Sequence, residues 1–100
     1  MRAPTYKMHA KVWVYPGMAG WHFVTLPKKQ SDNIKKVFGD MKRGWGSLPV
    51  MATIGKTTWK TSIFPDKKRG AYLLPIKAEV RKKEKIIHDD VIICLLELRP

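Results

Sequence analysis

Residues 70–98 read GAYLLPIKAEVRKKEKIIHDDVIICLLEL. An apolar run at 71–74 is closed by Pro75, which has no N–H to give to a ladder and so ends a strand. Residues 77–85 are charged, with Val80 as the inward apolar position of a short helix, after which Ile86 and Ile87 return towards a core. His88-Asp89-Asp90 then turns the chain into 91–98, where Val91, Ile93 and Leu95 alternate with Ile92, Cys94, Leu96 and Leu98. Both faces of that strand are apolar, which predicts a central strand covered on both sides. The unit is therefore strand, helix, turn, strand. It cannot cover its own apolar faces, so residues 1–69 must supply the rest of one core.

They carry the patterns to do so. Residues 1–7 show no pattern and are expected to fray as a flexible N-terminus, with a single barrel domain over 8–98. From Met8 the chain alternates, Met8, Ala10, Val12 and Val14 against His9, Lys11, Trp13 and Tyr15, the period of a strand. Pro16-Gly17 breaks it, and a second strand over 21–26 completes a hairpin ending at Pro27. Ser31 reads as an N-cap, followed by Ile34, Val37, Phe38 and Met41 at helical spacing. Gly39 is placed to end this helix near Phe38, which would leave Met41 in the exit loop. Residues 48–54 and 57–63 form a second hairpin about Gly55-Lys56, and 65–70, PDKKRG, is a polar loop. VTLP at 24–27 and YLLP at 72–75 are a faint internal echo, each ending a strand and leading into a short basic helix. The fold class is mainly β: a small barrel of about six strands with two short helices.

Composition narrows function less than fold. One hundred residues suit one core. The longest apolar run, 91–96, has six residues where a spanning helix needs about 20. Residues 1–11 contain no apolar signal core, so the expected location is cytoplasmic. Cys94 is the single cysteine, which excludes an internal disulfide and a thiolate cluster. Twenty Lys and Arg against eight Asp and Glu give a formal charge of +12, a field that favours polyanions, anionic membrane surfaces or acidic proteins. Fifteen of the twenty are Lys, which supplies point charge and solubility rather than the planar fork that grips phosphate or guanine.

The order Leu-Pro, then Val80-Arg81 in a charged helix, then an acidic turn before a β-branched strand resembles the half-barrel of the AbrB and MazE type. Over most of 8–98 the chain is similar to a small bacterial and archaeal domain family of unassigned function, some relatives of which are fused to a YdeI-type domain. The matching residues are Trp21, Phe23, Val24, Leu26 and Pro27; Thr61, Ser62 and Pro65; and Tyr72, Leu74, Pro75, Val80 and Arg81. The resemblance implies a double-split β-barrel and brings no established activity. Where the pattern has Gly-Asp at the last turn, this chain has Asp89-Asp90. Asp is among the few side chains that tolerate the positive φ a Gly would take there.

Enzyme chemistry finds little footing. His9, His22 and His88 lack ligand spacing, so neither a metal nor another cofactor is expected. A meeting of His9 and His22 across the first hairpin competes with the commoner exposed or hydrogen-bonded histidine. Gly44-Trp45-Gly46 lacks the Lys-Ser/Thr of a phosphate loop. Adjacent carboxylates Asp89 and Asp90 diverge, and are assigned to shaping the turn. Cys94 in a central strand reads as an inert small hydrophobe.

Binding finds more. Lys28, Lys29, Lys35, Lys36, Lys42 and Arg43 surround the first helix, Lys67, Lys68 and Arg69 top the polar loop, and Lys82 and Lys83 charge the second helix. These are the candidate polyanion contacts, with surface solubility as the competing role. Arg81 reads equally as a contact or as a structural partner of a carboxylate such as Glu97 or Asp90. Trp13 and Trp45 are the candidate exposed rings on which bases would stack, while Trp21 and Trp59 are expected to fill the barrel. The leading expectation is a monomeric module for nucleic acid or another polyanion. The alternative is a small-molecule or peptide module at the barrel mouth near Trp13 and Trp45, its charge serving solubility.

Overall fold

A computed structural model describes residues 4–17, 20–41 and 46–99. Six strands, β1 (Thr5–Val14), β2 (His22–Thr25), β3 (Leu48–Ile54), β4 (Thr57–Asp66), β5 (Ala71–Pro75) and β6 (Val91–Leu98), close into a barrel in the order β1-β2-β5-β4-β3-β6. Every pairing is antiparallel. Helix α1 (Lys28–Phe38) joins β2 to β3 across one end of the barrel, and α2 (Ala78–Glu84) joins β5 to β6 across the other. A 3₁₀ turn, Gly39–Met41, follows α1, so Met41 lies in the exit segment and is half exposed.

The alternation in the sequence becomes an inside and an outside. Met8, Ala10 and Val12 of β1, Val50, Ala52 and Ile54 of β3, and Ile92, Cys94, Leu96 and Leu98 of β6 all point into one core. Ile34 and Phe38 of α1 and Val80 of α2 close its two ends. Among the described residues no helix is long and apolar enough to cross a membrane.

The chain is built twice. β1-β2-α1-β3 is followed by β4-β5-α2-β6, and exchanging the two sets leaves every strand neighbour unchanged. Laying VTLP on YLLP places Thr25 over Leu73, and these two are cross-strand partners in the β2–β5 ladder, where a twofold axis must pass. The echo in the sequence is thus a repeat of topology. Each half leaves apolar faces that only the other half covers.

Several local expectations are corrected. β1 begins at Thr5 rather than Met8, because residues 5–7 pair with Glu97, Leu96 and Leu95. Ser31 does not cap α1, which starts earlier, at Lys28 behind Pro27. The Ser31 hydroxyl is buried, donating to the Leu26 carbonyl at 3.4 Å and accepting from the Tyr72 amide at 3.1 Å. It ties α1 to β5 instead. β4 runs on through Pro65 to Asp66, since the missing N–H of Pro65 would point away from β5 and the ladder loses nothing. Strand β6 is flanked on both sides, by β1 and β3, but its outer face is bare: Val91, Ile93 and Leu95 are exposed. In a barrel a strand has two neighbours without having two covered faces, so the apolar outer row does not require burial.

The acidic turn behaves as its residue types require. Asp89 takes a φ of 72°, and its amide donates to the Val12 carbonyl at 2.7 Å. Asp90 accepts from the Ile87 amide through Oδ2 at 2.9 Å. Lys85 ends α2 in the left-handed region at a φ of 53°, where glycine is the usual residue.

Candidate functional site

Outward alternation on β1 and β2 collects an aromatic cluster on the barrel's surface. Trp13 and Phe23 are cross-strand partners, and their ring centroids are 5.3 Å apart. Tyr15 and Trp21 approach the same Phe23 at 5.9 and 6.0 Å. Phe23 is buried beneath these rings, whereas Trp21 is 55% exposed. Trp21 sits just before β2 begins, past the last described β1–β2 ladder pair, where its carbonyl accepts from the Tyr15 amide at 2.9 Å while its ring stays open. This corrects the expectation that Trp21 fills the core. Trp59 does so, at 8% exposure, directly opposite the small Ala52.

Trp13 is less open than its polar-face position suggests. Its indole N–H donates to the Thr25 hydroxyl at 3.0 Å, and the Arg69 guanidinium lies 4.1 Å above the ring. Arg69 is fixed in turn by Asp66, at 2.6 Å from Nη1 to Oδ2. Burial tends to raise the pKa of Asp66, but hydrogen bonds from the Arg69 side chain and from the backbone amides of Arg69 and Lys68 outweigh it, and the net direction is down.

Beside the rings the barrel wall opens. β4 pairs with β5 only from Phe64 onward, and β5 pairs with β2 as far as Pro75. Continuing the β4–β5 register would set Ser62 opposite Pro75, which has no N–H to donate. The ladder stops there and a seam remains. It forms a groove of about 1,210 Å³ walled by Tyr15, Trp21, Phe23, Phe64, Leu73 and the stretch from Lys60 to Ser62. An adjoining slot of about 340 Å³ lies between Trp21, Trp59, Lys60, Pro75, Ala78 and Arg81. Lys60, Lys77 and Arg81 supply cations to these walls, and among the described residues no carboxylate lines either space.

Arg81 is positioned by main chain, not by an acid. Its Nε donates to the Ile76 carbonyl at 3.1 Å and its Nη2 to the Gly20 carbonyl at 3.2 Å, with Nη1 3.5 Å from His22 Nε2. Glu97 pairs with Arg99 instead, and Asp90 is engaged by the Ile87 amide. The guanidinium thus pins the loop before β2 to the start of α2 and keeps its charge beside the slot.

The basic residues singled out from sequence fall into separate groups. Lys28, Lys35 and Lys67 line one cleft of about 270 Å³ between α1 and the β4–β5 turn, shared with Asp32, Asp66 and Tyr72. Lys28 is bridged to Asp32 at 2.9 Å, an exposed pair that contributes little to stability. Lys29 and Lys36 border a different surface beside Tyr6 and Asn33. Lys68 is exposed on the β4–β5 turn next to Arg69. Lys82 and Lys83 are exposed on α2 at the other end of the barrel, with Lys83 3.3 Å from Glu79. Lys42, Arg43 and Trp45 lie outside the described residues. Trp21 of the groove, Lys77 of the slot and Lys60, which lines both, were not among the proposed contacts. Their signal in the sequence was indirect: an aromatic after Gly20, and a proline that stops β5.

The remaining chemistry is quiet. His9 is a partner of Ile93 and His22 of Val14, so the two do not meet. Among the described residues no three His, Cys, Asp or Glu side chains gather as metal ligands. Cys94 is fully buried, and desolvation pushes its thiol up to about 12, partly offset by a hydrogen bond from the Thr53 backbone. The native protein is therefore expected to resist a thiol reagent at mildly alkaline pH and to react on unfolding; a fast native reaction would place the thiol at the surface. Folded Cys94 stays protonated to about 12 while the unfolded thiol ionises from about 9.0, so its contribution to stability is lost as pH rises through that window.

No curated protein matches the chain. A family model described as a domain of unknown function matches residues 9–94, from the first strand of the first half to the last strand of the second. The match takes in the seam, both helices and the acidic turn, and by it the chain belongs to the family of that domain of unknown function, DUF1905.

Proposed function

We propose that this barrel is a non-enzymatic module that binds single-stranded nucleic acid along the seam, acting as a monomer because one chain supplies both halves. The observation that carries this reading is the exposed Trp21 over an aromatic groove with Lys60 at its wall and no carboxylate among the described residues of its lining. Bases stack on such a ring whatever their identity, and cations along the groove hold the backbone. Lys77, Arg81 and the net charge of +12 favour the same partner. Lys28, Lys35 and Lys67, in a separate cleft shared with Asp32 and Asp66, are further cations for a strand that leaves the groove.

Titrating the protein with short single-stranded and duplex oligonucleotides from low to physiological salt, while following tryptophan fluorescence, tests the reading. Quenching by single strands is expected, with log K falling against log salt at a slope of about −3 for roughly four phosphate contacts. A flat salt response or a preference for duplex would count against it. The apolar groove favours one other reading, a site for a small uncharged ligand at the barrel mouth. Such a ligand would quench tryptophan with almost no salt slope.

A further inference from the structure

The two halves of the barrel each carry a seam, and they are finished differently. In the first, β1 runs past β2 only over residues 12–14, and ladder phase turns the Lys7 carbonyl away from β6. There α1 closes the gap: Gln30 Nε2 donates to that carbonyl at 2.9 Å, with its Oε1 buried, and Asn33 accepts from the Tyr6 hydroxyl at 2.7 Å. Laying Leu26-Pro27 on Leu74-Pro75 places Gln30 over Ala78 and Asn33 over Arg81. The paired registers Val12↔Val24 and Pro65↔Tyr72 then put Lys7 over Lys60 by counting back equally along β1 and β4. The second seam is thus the copy of the first with its plug removed.

What the missing plug exposes is main chain. Arg99 donates to the Pro49 carbonyl, which sets the ladder phase so that Val50 and Ala52 bond towards β4, and the N–H and C=O groups of Lys60 and Ser62 point away from β3 into the seam. Among the described residues no hydrogen bond from α2 reaches Lys60 or Ser62. Ala78 is exposed and too short, and Arg81 is turned to Gly20 and Ile76. We propose that this second seam is a base slot, in which a nucleobase unstacked from a single strand lies beside Trp21 and is held on its edge by the main-chain groups of Lys60, with Ser62 lining the groove next to it. The proposal rests on the reading above and adds where and how the base is held. At about 340 Å³ the slot is at the small end of ligand pockets, roughly 300–1,000 Å³. Splayed bases offer both donors and acceptors on their edges, which suits a strand edge that presents one of each per residue. Charge decides for nucleic acid over an added peptide strand: Lys60, Lys77 and Arg81 stand at the slot with no acid among them.

Restoring the plug is the test. Ala78→Gln is helix-compatible and exposed, removes no charge and no ring, and copies Gln30 of the first seam. Binding of an oligothymidylate is compared with that of an abasic phosphodiester of equal charge. Wild type is expected to prefer the oligothymidylate; in the variant that preference disappears and affinity drops about tenfold, while the salt slope is unchanged because no phosphate contact is touched. Ala78→Met fills the same space and serves if the Gln variant folds poorly. Retained preference in both variants overturns the slot and leaves the proposed function standing. No binding of any strand at low salt overturns both. An extended acidic peptide whose binding falls in Ala78→Gln, while that of the oligonucleotide does not, would also overturn it by assigning the slot to a peptide strand.

Discussion

Trp59→Ala is expected to cost about 3–5 kcal/mol of unfolding free energy, the range for removing a buried large ring. Trp59 is nearly closed off inside the barrel and faces Ala52 across the β3–β4 ladder, a small residue that leaves room for the indole. Neighbours on fixed strands cannot collapse into the space it leaves. Trp21→Ala is expected to stay within about 0.5 kcal/mol of wild type, as for exposed positions generally. Its effect should appear in binding instead, a loss of about 1–3 kcal/mol for single strands together with most of the fluorescence quench. Urea titrations and oligonucleotide titrations on the two variants give the contrast directly. Equal destabilisation by both would return Trp21 to the core, and unchanged binding by Trp21→Ala would remove the ring from the site.

The second contrast lies within one strand. Leu96→Ala should lose about 2–5 kcal/mol, and Leu95→Ala less than about 1 kcal/mol. Leu96 is fully buried between its ladder partners Tyr6 and Ala52, on the row that also contains Cys94 and Leu98. Leu95 points outward between Lys7 and Thr53 and is 39% exposed. Both variants should keep the wild-type denaturant slope, so that only the midpoint moves. Similar losses at the two positions would mean that something covers the outer face of β6 in solution.

These contrasts show how far single residues can be read. The inward set of β6 was legible because alternation has period 2 and every second residue belongs to one face. The fate of the outward set was not, since Val91, Ile93 and Leu95 are as apolar as their neighbours and only the closed geometry shows that nothing lies over them. Trp59 and Trp21 make the same point. Both are indoles in or beside β-prone sequence, and burial is the default for so large a ring; which one escapes depends on where the β1–β2 ladder ends. Ser31 was misread for a related reason. An N-cap signal is local, whereas the bond that holds this serine comes from Tyr72, which only the packing of α1 on β5 brings near. Arg81 was linked to carboxylates because charge suggests charge, yet the partners within reach are carbonyls of Ile76 and Gly20.

By itself the sequence determined six strands, two short helices, the turn at Asp89-Asp90 and a strongly cationic surface, because periodicity, proline, glycine and charge act over a few residues. It also held the outline of the repeat, in VTLP and YLLP. Tertiary structure decided what those pieces enclose. Closure of the barrel chose the buried face of each strand, Pro75 opened a seam that has meaning only opposite Ser62, and the difference between Gln30 and Ala78 became visible once the two halves could be laid on one another. Groove, ring and cation come from β1, β2, β4, β5 and α2 together, and a candidate site assembled across that much sequence has no local pattern to be read.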